Sequence, residues 1–447
     1  MRLSATIAAV ALLSATPTAQ AAFFQLGETS PAAGGNAYAG GAAAAEDAST
    51  VWFNPAGLTR LTGSQLVVGV HHVDASMKFS KTSATLNPLL GGGPISGGNG
   101  GDAGESALIP NLYFARRIDQ RLAFGLGINA PFGLATDYDD DWVGRYHADR
   151  SEVRSININP ALAYQLSPQF SLGAGINYQW LEGEFTQAVD FGSLCAVAAV
   201  GACAAPGAND GRARVKADDD AWGYNFGVLW QPGEQTRLGL AYRSSIKYHL
   251  KGNFEVTAPS ATAAAVGAAA AGIVKSGASA NATVPATLSL SFHQSIAQGW
   301  TLMGDLTRTY WSKLPELRIE FDSAQPDSVT TFELKDVNRY SVGATYDTGG
   351  NWRYRIGVAL DRTPTPNAAR RTPRLPDADR TWIALGAGYR LSQTLSVDFA
   401  FVHVHLDDAP IDKVSASPTD ENFLRGSLSG NYKSKANILG AQVKWLF

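Results

Sequence analysis

The side chains that could carry out chemistry are few and widely spaced. His71 and His72 are adjacent, while His403 and His405 stand two residues apart, which places both imidazoles on one face of a strand. Neither pair has a clustered third ligand, whereas zinc sites use three or four protein ligands. We therefore expect these histidines to lie at a rim or surface, and we expect no metal site.

Motifs that would supply a nucleophile or cradle a phosphate do not occur. The sequence contains no Gly-x-Ser-x-Gly, His-Glu-x-x-His or Gly-x-x-x-x-Gly-Lys segment. Aspartate runs at 139–141 and 218–220 could bind cations, but such runs in loops are more often simply solvated. We expect no catalytic residue and no cofactor.

Cys195 and Cys203 are the only two cysteines in the 447 residues. No histidine or acidic residue lies between them, which gives a metal pair little support. In an exported protein, two cysteines this close form a disulfide that closes a small loop. Such a bridge stabilises by about 2–3 kcal/mol in the chain-entropy account. We predict a disulfide between Cys195 and Cys203.

The first residues have the features of a secretory signal peptide. Arg2 supplies a positive charge, residues 7–13 are apolar, and Ala19-Gln20-Ala21 has the spacing of a cleavage site. We predict a signal peptide over residues 1–21. No later segment is apolar over the about 18 residues that a membrane-spanning helix needs. The net charge of −3 argues against nucleic acid as a partner.

From residue 64 onward, apolar residues alternate with small polar ones. Trp222, Tyr224, Phe226, Val228 and Trp230 share one face of a strand because strand side chains repeat every two residues. A globular β-sandwich alternates in the same way. The segments, however, are long and their connections alternate between short and long, which is typical of a transmembrane barrel. Fourteen antiparallel strands are predicted, at 64–80, 106–118, 121–132, 152–166, 169–191, 217–231, 236–257, 281–296, 299–322, 333–348, 351–362, 380–391, 394–408 and 430–447.

Residues 22–63 do not alternate and are rich in Ala and Gly. A barrel this wide would leak unless its lumen were filled. We expect a mainly helical N-terminal hatch over 22–63 that plugs the 64–447 barrel, with Asn54-Pro55-Ala56 near its inner end. A disordered tail is the alternative, which Phe23, Phe24, Trp52 and Phe53 disfavour.

Several motifs, taken in order, resemble the FadL-type outer-membrane transporters, which carry long-chain fatty acids and other hydrophobic compounds. They are Phe24-Gln25-Leu26, Asp47-Ala48-Ser49-Thr50-Val51, Asn54-Pro55-Ala56-Gly57, Ala130-Pro131-Phe132-Gly133-Leu134, Lys335-Asp336 and Leu375-Pro376-Asp377. The resemblance runs along the whole chain. It implies a fourteen-stranded barrel with a hatch, capture by outward loops, descent to a deeper apolar pocket and sideways release into the membrane.

The resemblance also suggests residues that bind cargo. Lys335 matches a lysine that lines the family's pocket, and we assign Arg339 and Phe24 to the same binding site. An ammonium group there could bind a carboxylate, although an ion-pair ladder with Asp336 is a rival interpretation. This chain departs from the fatty-acid carriers on the fifth strand, where Glu182 and Glu184 stand and no basic residue is found.

The segment Asn129, Pro131, Phe132 and Gly133 is a candidate gap in the barrel wall. Proline donates no hydrogen bond to a ladder, and glycine permits a kink. An ordinary strand end at the rim is the alternative, and the resemblance favours the gap. The apolar loops at 195–203 and 261–274 are candidates for capture, unless they are low-complexity insertions without a role.

We therefore expect passive uptake of hydrophobic compounds, above all long-chain fatty acids, across the bacterial outer membrane. Uptake of aromatic hydrocarbons is the nearest alternative, and a barrel enzyme or an adhesin barrel would be another class of protein. Expected partners are the cargo, outer-membrane lipid and lipopolysaccharide. The barrel-assembly machinery should recognise the last strand, where Val443, Trp445 and Phe447 share a face. We expect a monomer.

Overall fold

The computed structural model describes residues 23–447, so the predicted signal peptide lies outside the described residues. The chain forms one closed antiparallel β-barrel, in which the first strand pairs with both the second and the last. The strands are β1 Ser64–Thr85, β2 Ser106–Arg117, β3 Leu122–Asn129, β4 Gly133–Asp137, β5 Arg150–Ser167, β6 Phe170–Asp190, β7 Asp210–Gly233, β8 Thr236–Arg243, β9 Ile246–Thr257, β10 Ser276–Val284, β11 Thr287–Ala297, β12 Trp300–Thr309, β13 Glu316–Phe321, β14 Ser328–Thr331, β15 Val337–Asp347, β16 Trp352–Asp361, β17 Arg380–Arg390, β18 Leu395–Leu406, β19 Ala409–Lys413 and β20 Ser427–Leu446.

Over residues 23–447 these segments make fourteen strands of the barrel wall, as the alternation predicts. Six wall strands are divided in two, namely β3/β4, β8/β9, β10/β11, β12/β13, β14/β15 and β18/β19. Short turns join the strands at one end of the barrel, and the connections at the other end are mostly long. The short turns include residues 118–121, 168–169 and 234–235, and the long connections include 86–105, 191–209, 258–275 and 362–379.

The alternation separates an apolar outer face from a polar inner one. Trp222, Phe226 and Trp230 are exposed on the outside of β7, while Asn225 on the same strand is buried. Large apolar side chains are exposed in this way around the whole barrel, which only an apolar surrounding would cover. In the described part of the chain, no helix has the length and apolar character needed to cross a membrane.

The N-terminal segment, residues 23–63, consists of short helices that touch the inner face of strands around the barrel. It contains α1 Pro31–Gly34, α2 Gly41–Ala44, α3 Thr50–Phe53 and a 3-10 helix Pro55–Arg60. The segment approaches the wall at glycines. A Cβ at Gly227 would lie 1.8 Å from Asn54 Oδ1, and one at Gly357 would lie 2.2 Å from the backbone of Asn36. Side chains at these glycines would therefore push the segment away.

Charged groups join the N-terminal segment to the wall near the short turns. The Glu46 carboxylate forms an ion pair with the Arg355 guanidinium at 2.9 Å, and the same guanidinium pairs with Asp398 at 2.8 Å. Arg353 lies 3.7 Å from the same Glu46 carboxylate. These arginines keep the pKa of Glu46 well below its ordinary value despite its burial. The segment is thus held by charge as well as by packing.

The structure corrects several predicted boundaries. The strand predicted at 121–132 ends at Asn129, and the loop predicted after it contains β4. The loop predicted at 192–216 is shorter, because the hairpin of β6 and β7 continues to the pair Asp190–Asp210. The outer part of this hairpin is rich in charged residues, and because it lacks the alternation of apolar and polar residues it was predicted to be a loop. There, cross-strand pairs such as Glu184–Arg214 stabilise the hairpin.

Two of the loops expected to be irregular contain regular elements. Residues 261–274 form α5 Ala261–Ala271, and Phe191–Val197 forms α4. Ser260 Oγ accepts from the backbone N–H of Ala263, and Gly272 at φ +64° ends the helix. A serine cap, a run of alanines and a terminal glycine are helix signals. These signals were present in the sequence, but the segment was interpreted as a loop because of its apolar composition. In the same way, β19 occupies the start of the loop predicted at 411–428.

Candidate functional site

A cavity of about 890 Å³ lies among the long connections, and we call it the outer cavity. Its volume is in the upper part of the range of about 300–1,000 Å³ that small-molecule sites occupy. Part of its lining is apolar and comes from β6, β9, β13 and the link after α5, with Phe185, Phe254, Ile273, Leu317 and Ile319. The cavity can therefore take an apolar chain.

Another part of the outer cavity carries charged side chains of both signs, among them two buried arginines. Arg374 donates to Ser151 Oγ at 3.0 Å and to Gln187 Oε1 at 2.8 Å, while Arg425 donates to Ser328 Oγ at 2.8 Å. Burial and the nearby Arg425 lower the pKa of Arg374 to about 9, and burial lowers the pKa of Arg425. Within residues 23–447 neither guanidinium has a carboxylate at ion-pair distance. Carboxylates such as Asp327 and Glu421 line the same cavity, and the Glu421 charge acts on Arg425 from beyond ion-pair distance.

An apolar cluster continues inward from the outer cavity. Phe185, Leu317 and Ile319 line the cavity and also pack against this cluster. Its buried members include Phe23, Phe132, Leu134, Val153, Leu181, Ile246, Leu250, Trp311, Phe332, Leu334 and Leu375. The ring of Phe24 lies 5.1 Å from that of Trp311 and 5.6 Å from that of Phe132. The cluster therefore connects the outer cavity with the start of the N-terminal segment.

A smaller cavity of about 150 Å³, the inner cavity, lies between the N-terminal segment and the wall. It is lined by apolar side chains, including Leu26 and Trp382, and by the cations Arg243 and Arg339. Arg339 donates to the Ala37 carbonyl at 3.0 Å and lies 5.1 Å from the Trp382 ring centre. This cavity can hold a polar group but not a long chain.

The third wall strand is interrupted at the predicted gap. β3 pairs with β5 up to Asn129–Asn157, and β4 pairs with it from Gly133–Arg154. Three residues, 130–132, therefore stand opposite only two on β5. The extra residue is a β-bulge, and it turns over the side chains that follow, so that Leu134 joins the inner cluster.

On its other side the interrupted strand loses its partner. β2 pairs with β3 only up to Leu112–Ile128, and contact resumes at the single bridge Gly104–Thr136. Each edge of this opening carries a proline, Pro110 on β2 and Pro131 after β3. Proline has no N–H to donate to a ladder.

The start of the N-terminal segment lies along the inner side of this opening. Gln25 forms an antiparallel bridge with Phe132. The Leu26 N–H donates to the Pro131 carbonyl at 2.8 Å, and the Gly133 N–H donates to the Phe24 carbonyl at 2.9 Å. The bulged strand is thus bonded to the segment rather than to β2.

The structure separates the residues predicted to bind cargo. Phe24 and Arg339 border the apolar cluster and the inner cavity, respectively. Lys335 lies in the link between β14 and β15 with an exposed side chain and lines neither cavity. Glu182 points outward and lies 3.1 Å from Lys216. Glu184 is on the same outward face of β6, the fifth wall strand, so neither carboxylate enters the barrel interior.

The predicted hatch residues lie near the short turns. Asn54 Nδ2 donates to the Ala42 and Val228 carbonyls at 2.7 and 3.0 Å, and its Oδ1 accepts from the Ala56 N–H. Pro55 begins the 3-10 helix that follows. At the end of that helix Arg60 donates to the Pro168 carbonyl in the turn between β5 and β6.

The remaining candidate groups are the two cysteines in a long connection and the histidines on the wall strands. Cys195 and Cys203 are joined as a disulfide in the connection between β6 and β7. His71 is fully buried beside Asn111, so the expected rim or surface position is wrong for this histidine, which lies on the inward face of β1. His72 and His405 are exposed, and His403 hydrogen-bonds Asn437 across neighbouring strands. Among residues 23–447, no three His, Cys, Asp or Glu side chains are arranged to hold a metal.

Sequence reasoning missed Arg243, Arg374 and Arg425. None of them stands in a motif, and each becomes important only because the fold buries it beside a cavity. Arg374 immediately precedes the Leu375-Pro376-Asp377 motif, and this position is the one signal in the sequence that could have indicated it.

Comparison with known proteins gives the family. Residues 12–447 match the family described as "Outer membrane protein transport protein (OMPP1/FadL/TodX)". A long-chain fatty acid transport protein of Salmonella typhi is 30% identical over 423 residues, covering 92% of this chain and 93% of the relative. These matches extend over nearly the whole barrel.

Solved structures agree with that match. The crystal structure of a Pseudomonas aeruginosa FadL homologue is 27% identical, with a TM-score of 0.86, and covers 95% of this chain and 100% of its own. The toluene transporter TodX of Pseudomonas putida is 14% identical, with a TM-score of 0.67 over 96% of this chain and 100% of its own, and so shares the fold. The family and these neighbours are transport proteins. The chain belongs to the OMPP1/FadL/TodX family of outer membrane transport proteins, and the apolar outer face of its barrel is the surface that meets the lipid of the bacterial outer membrane.

Proposed function

We propose that the protein takes up long-chain fatty acids passively, and that they leave the barrel sideways into the membrane. The observation that carries this proposal is the outer cavity, where an apolar lining adjoins Arg374 and Arg425, neither of which has a carboxylate at ion-pair distance in the described chain. A fatty acid has the matching features, an apolar chain and one carboxylate. Charge-assisted hydrogen bonds from arginine suit that carboxylate.

The route inward follows the apolar cluster. Moving one methylene group of a fatty acid from an apolar surrounding into water costs about 0.8 kcal/mol of free energy. An apolar path from Phe185 to Phe132 avoids that cost. At Phe132 the cargo reaches the interrupted wall strand, beyond which lies membrane lipid. Exit toward the short turns would instead bring it to water, against the hydrophobic effect.

The N-terminal segment is the proposed hatch. Its contacts run around the inner face of the wall and include the ion pair of Glu46 with Arg355, and in this proposal it closes the lumen to polar solutes. Its first residues are bonded to the edge of the opening, and cargo must displace them to leave. Uptake is driven by the concentration gradient, since nothing in the proposal requires an energy source.

A second candidate cargo is an aromatic hydrocarbon. Phe23, Phe24, Phe132, Trp311 and Phe332 form a group of rings whose neighbouring centres lie 5.1–5.6 Å apart. Such a group packs well against a neutral aromatic molecule. It leaves the two arginines of the outer cavity without a role, which is why fatty acids are preferred.

The cargo is tested by removing the cations of the outer cavity. In cells that lack their own uptake protein, the double variant Arg374→Met/Arg425→Met should lower oleate uptake by about tenfold or more, since hydrogen bonds to charged groups contribute about 1.5–3 kcal/mol. Toluene entry should not change. Arg154→Met, which removes an outward arginine ion-paired with Glu152, is the matched control. Equal oleate uptake by the double variant and the control would refute anionic cargo.

Lateral release is tested by bridging the opening. Cysteines at Leu108 and Ala135, one on each edge, are joined with a short bis-maleimide, and the same variant treated with a monofunctional maleimide is the control. The bridged protein should bind oleate but not import it, whereas the control should import it. Normal import by the bridged barrel would show that cargo leaves elsewhere.

A further inference from the structure

Two lysines stand opposite each other on the outward face of the barrel, where its first and last strands meet. Lys78 on β1 and Lys433 on β20 are direct partners in the antiparallel register. Both are exposed and alternate along their strands with buried residues such as Phe79 and Tyr432, so both point away from the lumen. Residues in such a pair have Cβ atoms about 4.5–5.5 Å apart, and like charges at that spacing are destabilising. The protein alone gives this pairing no favourable contact.

Two more basic side chains extend the lysine pair into a patch that we call the basic face. Lys435 is the next outward residue of β20, and His405 on β18 lies directly opposite it. Both side chains are exposed. Successive outward residues of one strand lie about 7 Å apart, because the rise of a strand is about 3.4 Å per residue. The basic face of Lys78, Lys433, Lys435 and His405 thus gathers four donors within the reach of one lipid head group.

The carboxylates around the basic face leave most of its charge uncompensated. Asp102 lies 3.8 Å from Lys78, and both side chains are exposed to solvent, where such a pair contributes little. Within residues 23–447, no carboxylate lies at ion-pair distance from Lys433 or Lys435. The other acidic neighbours, on β1 and in the link after β18, are Asp74, Asp407 and Asp408.

Outward charges on another side of the barrel are arranged differently. Glu184 on β6 faces Lys216 on β7, and Arg214 faces Glu255 on β9. Arg214 also lies 2.7 Å from Glu184, so charges of opposite sign meet across all three strands. Like charges in register are therefore a local feature of the basic face and not a general property of the outward surface.

The basic face begins where the lipid-facing surface ends. Leu439 on β20 and Phe401 on β18 are exposed apolar residues. The next outward residues toward the long connections are Asn437 and His403, which hydrogen-bond each other at 2.9 Å. Lys435 follows, four residues beyond Leu439, which is about 13 Å along the strand and about 10 Å in height for a strand tilted by about 40°. Since long connections face the cell exterior in such barrels, the basic face lies at the level of the outer-leaflet head groups.

We propose that the basic face binds the phosphate groups of lipid A, the membrane anchor of lipopolysaccharide. Lipopolysaccharide forms the outer leaflet of the bacterial outer membrane, and lipid A carries its phosphates at the boundary of the hydrocarbon layer. Ammonium groups donate charge-assisted hydrogen bonds to phosphate, and clusters of lysine at a membrane surface attract anionic lipids. The acyl chains lie against Leu439 and Phe401, and the phosphate relieves the repulsion between Lys78 and Lys433. The proposal does not depend on the cargo of the barrel.

The test measures the binding of lipid A to the detergent-solubilised barrel by native mass spectrometry. Lys433→Gln/Lys435→Gln should weaken lipid A binding by about tenfold or more, because hydrogen bonds to a charged group are lost. Lys433→Arg/Lys435→Arg should retain it. The matched control is Lys216→Gln/Lys251→Gln, which removes the same charge from outward positions where each lysine faces a carboxylate. Heat-modifiable migration in gels verifies that each barrel is folded.

Two further lipids identify the group that is bound. Lipid A without its phosphates should bind the wild type and the Lys433/Lys435 glutamine variant equally weakly, and phosphatidylglycerol should bind both equally. If the glutamine variant and its control bind lipid A alike, the basic face is only a solvated surface and the proposal is wrong. Undiminished binding of the dephosphorylated lipid to the wild type would assign recognition to the acyl chains. A parallel loss of phosphatidylglycerol binding would show attraction to any anionic lipid, and it would also overturn the proposal.

Discussion

The backbone N–H of Leu26 donates a 2.8 Å hydrogen bond to the carbonyl of Pro131. A residue of the N-terminal segment thus takes the place that a residue of β2 would have in an unbroken wall. The bridge between Gln25 and Phe132 and the bond between Gly133 and Phe24 continue this contact. Movement of the segment and access to the opening are therefore mechanically linked.

This link predicts that fixing the N-terminal segment to the bulged strand stops uptake. Gln25 and Phe132 form a non-hydrogen-bonded antiparallel pair. The Cα atoms of such a pair are about 4.5 Å apart, within the range of about 4.4–6.8 Å that a disulfide spans. Gln25→Cys/Phe132→Cys should import oleate only when reduced, as measured before and after oxidation. Leu240→Cys/Leu290→Cys, at facing positions of β8 and β11, fixes two wall strands and should import in both states. Import by the oxidised Gln25/Phe132 pair would show that this end of the segment stays in place during uptake.

Glu28 predicts a dependence of the N-terminal segment on pH. Burial raises the pKa of Glu28 to about 7, against the opposing effects of the backbone N–H groups of Glu28 and Gly27 and of the Arg380 and Arg339 charges. The carboxyl group is therefore more easily protonated in the folded segment than in an open one. Its stabilising effect is complete below about pH 4.5 and is lost as the pH rises through 7, by about 3 kcal/mol in all.

Hydrogen exchange of residues 23–40 measures that effect. Protection should fall between pH 5.5 and pH 8.5, after correction for the intrinsic exchange rate, and Glu28→Gln should make the protection independent of pH. Tyr38, Arg339 and Arg380 face this group and are unchanged in the variant. A pH dependence that persists in Glu28→Gln would assign it to another group.

The ion pairs of Glu46 predict that charge helps to hold the N-terminal segment in its closed position. Glu46→Gln leaves Arg353 and Arg355 without their shared carboxylate, and breaking a buried pair costs about 3–5 kcal/mol. The segment should then open more often, which raises the leakage of small sugars into protein-containing liposomes. Glu333→Gln breaks an exposed pair with Arg370 and should have little effect. Equal leakage from both variants would mean that packing alone holds the segment.

The disulfide predicts the order of the connection between β6 and β7. Unreduced peptides from the exported protein should show Cys195 linked to Cys203 by mass spectrometry. Cys195→Ser/Cys203→Ser should make α4 more susceptible to protease while the barrel remains folded, because a bridge of this kind stabilises by about 2–3 kcal/mol. Free thiols in the exported protein would contradict the pairing.

The sequence predicted the barrel well because alternation is a local signal that repeats along every wall strand. It did not predict the outer hairpin of β6 and β7, where charged residues replace apolar ones and the strands are held by pairs such as Glu184–Arg214. It also missed β4, since a bulge changes which residues face inward and so breaks the pattern. Such a change depends on the partner strand β5, which the local sequence does not reveal.

The candidate site was less predictable, for a physical reason. Pro131 and Gly133 indicate the opening in the sequence because their effects on the backbone, a missing N–H in proline and wide conformational freedom in glycine, belong to the residue type. Arg243, Arg374 and Arg425 are ordinary arginines until the fold buries them beside cavities and away from carboxylates. Their significance is that each is buried with no carboxylate at ion-pair distance in the described chain, and that property belongs to the three-dimensional arrangement. Lys335, chosen by resemblance, is in contrast exposed outside both cavities.

The two prolines at the opening prevent β2 and β3 from forming a continuous hydrogen-bonded ladder. If the ladder of β2 and β3 continued past Leu112–Ile128, Pro110 would face Ala130 and Ile109 would face Pro131. Only alternate pairs of an antiparallel ladder exchange hydrogen bonds, so one of these two pairs would have to be the bonded one. Each of them contains a proline and cannot complete the exchange. The break in the ladder of β2 and β3 is therefore a consequence of the two prolines, and under the proposed lateral release only the N-terminal segment has to move.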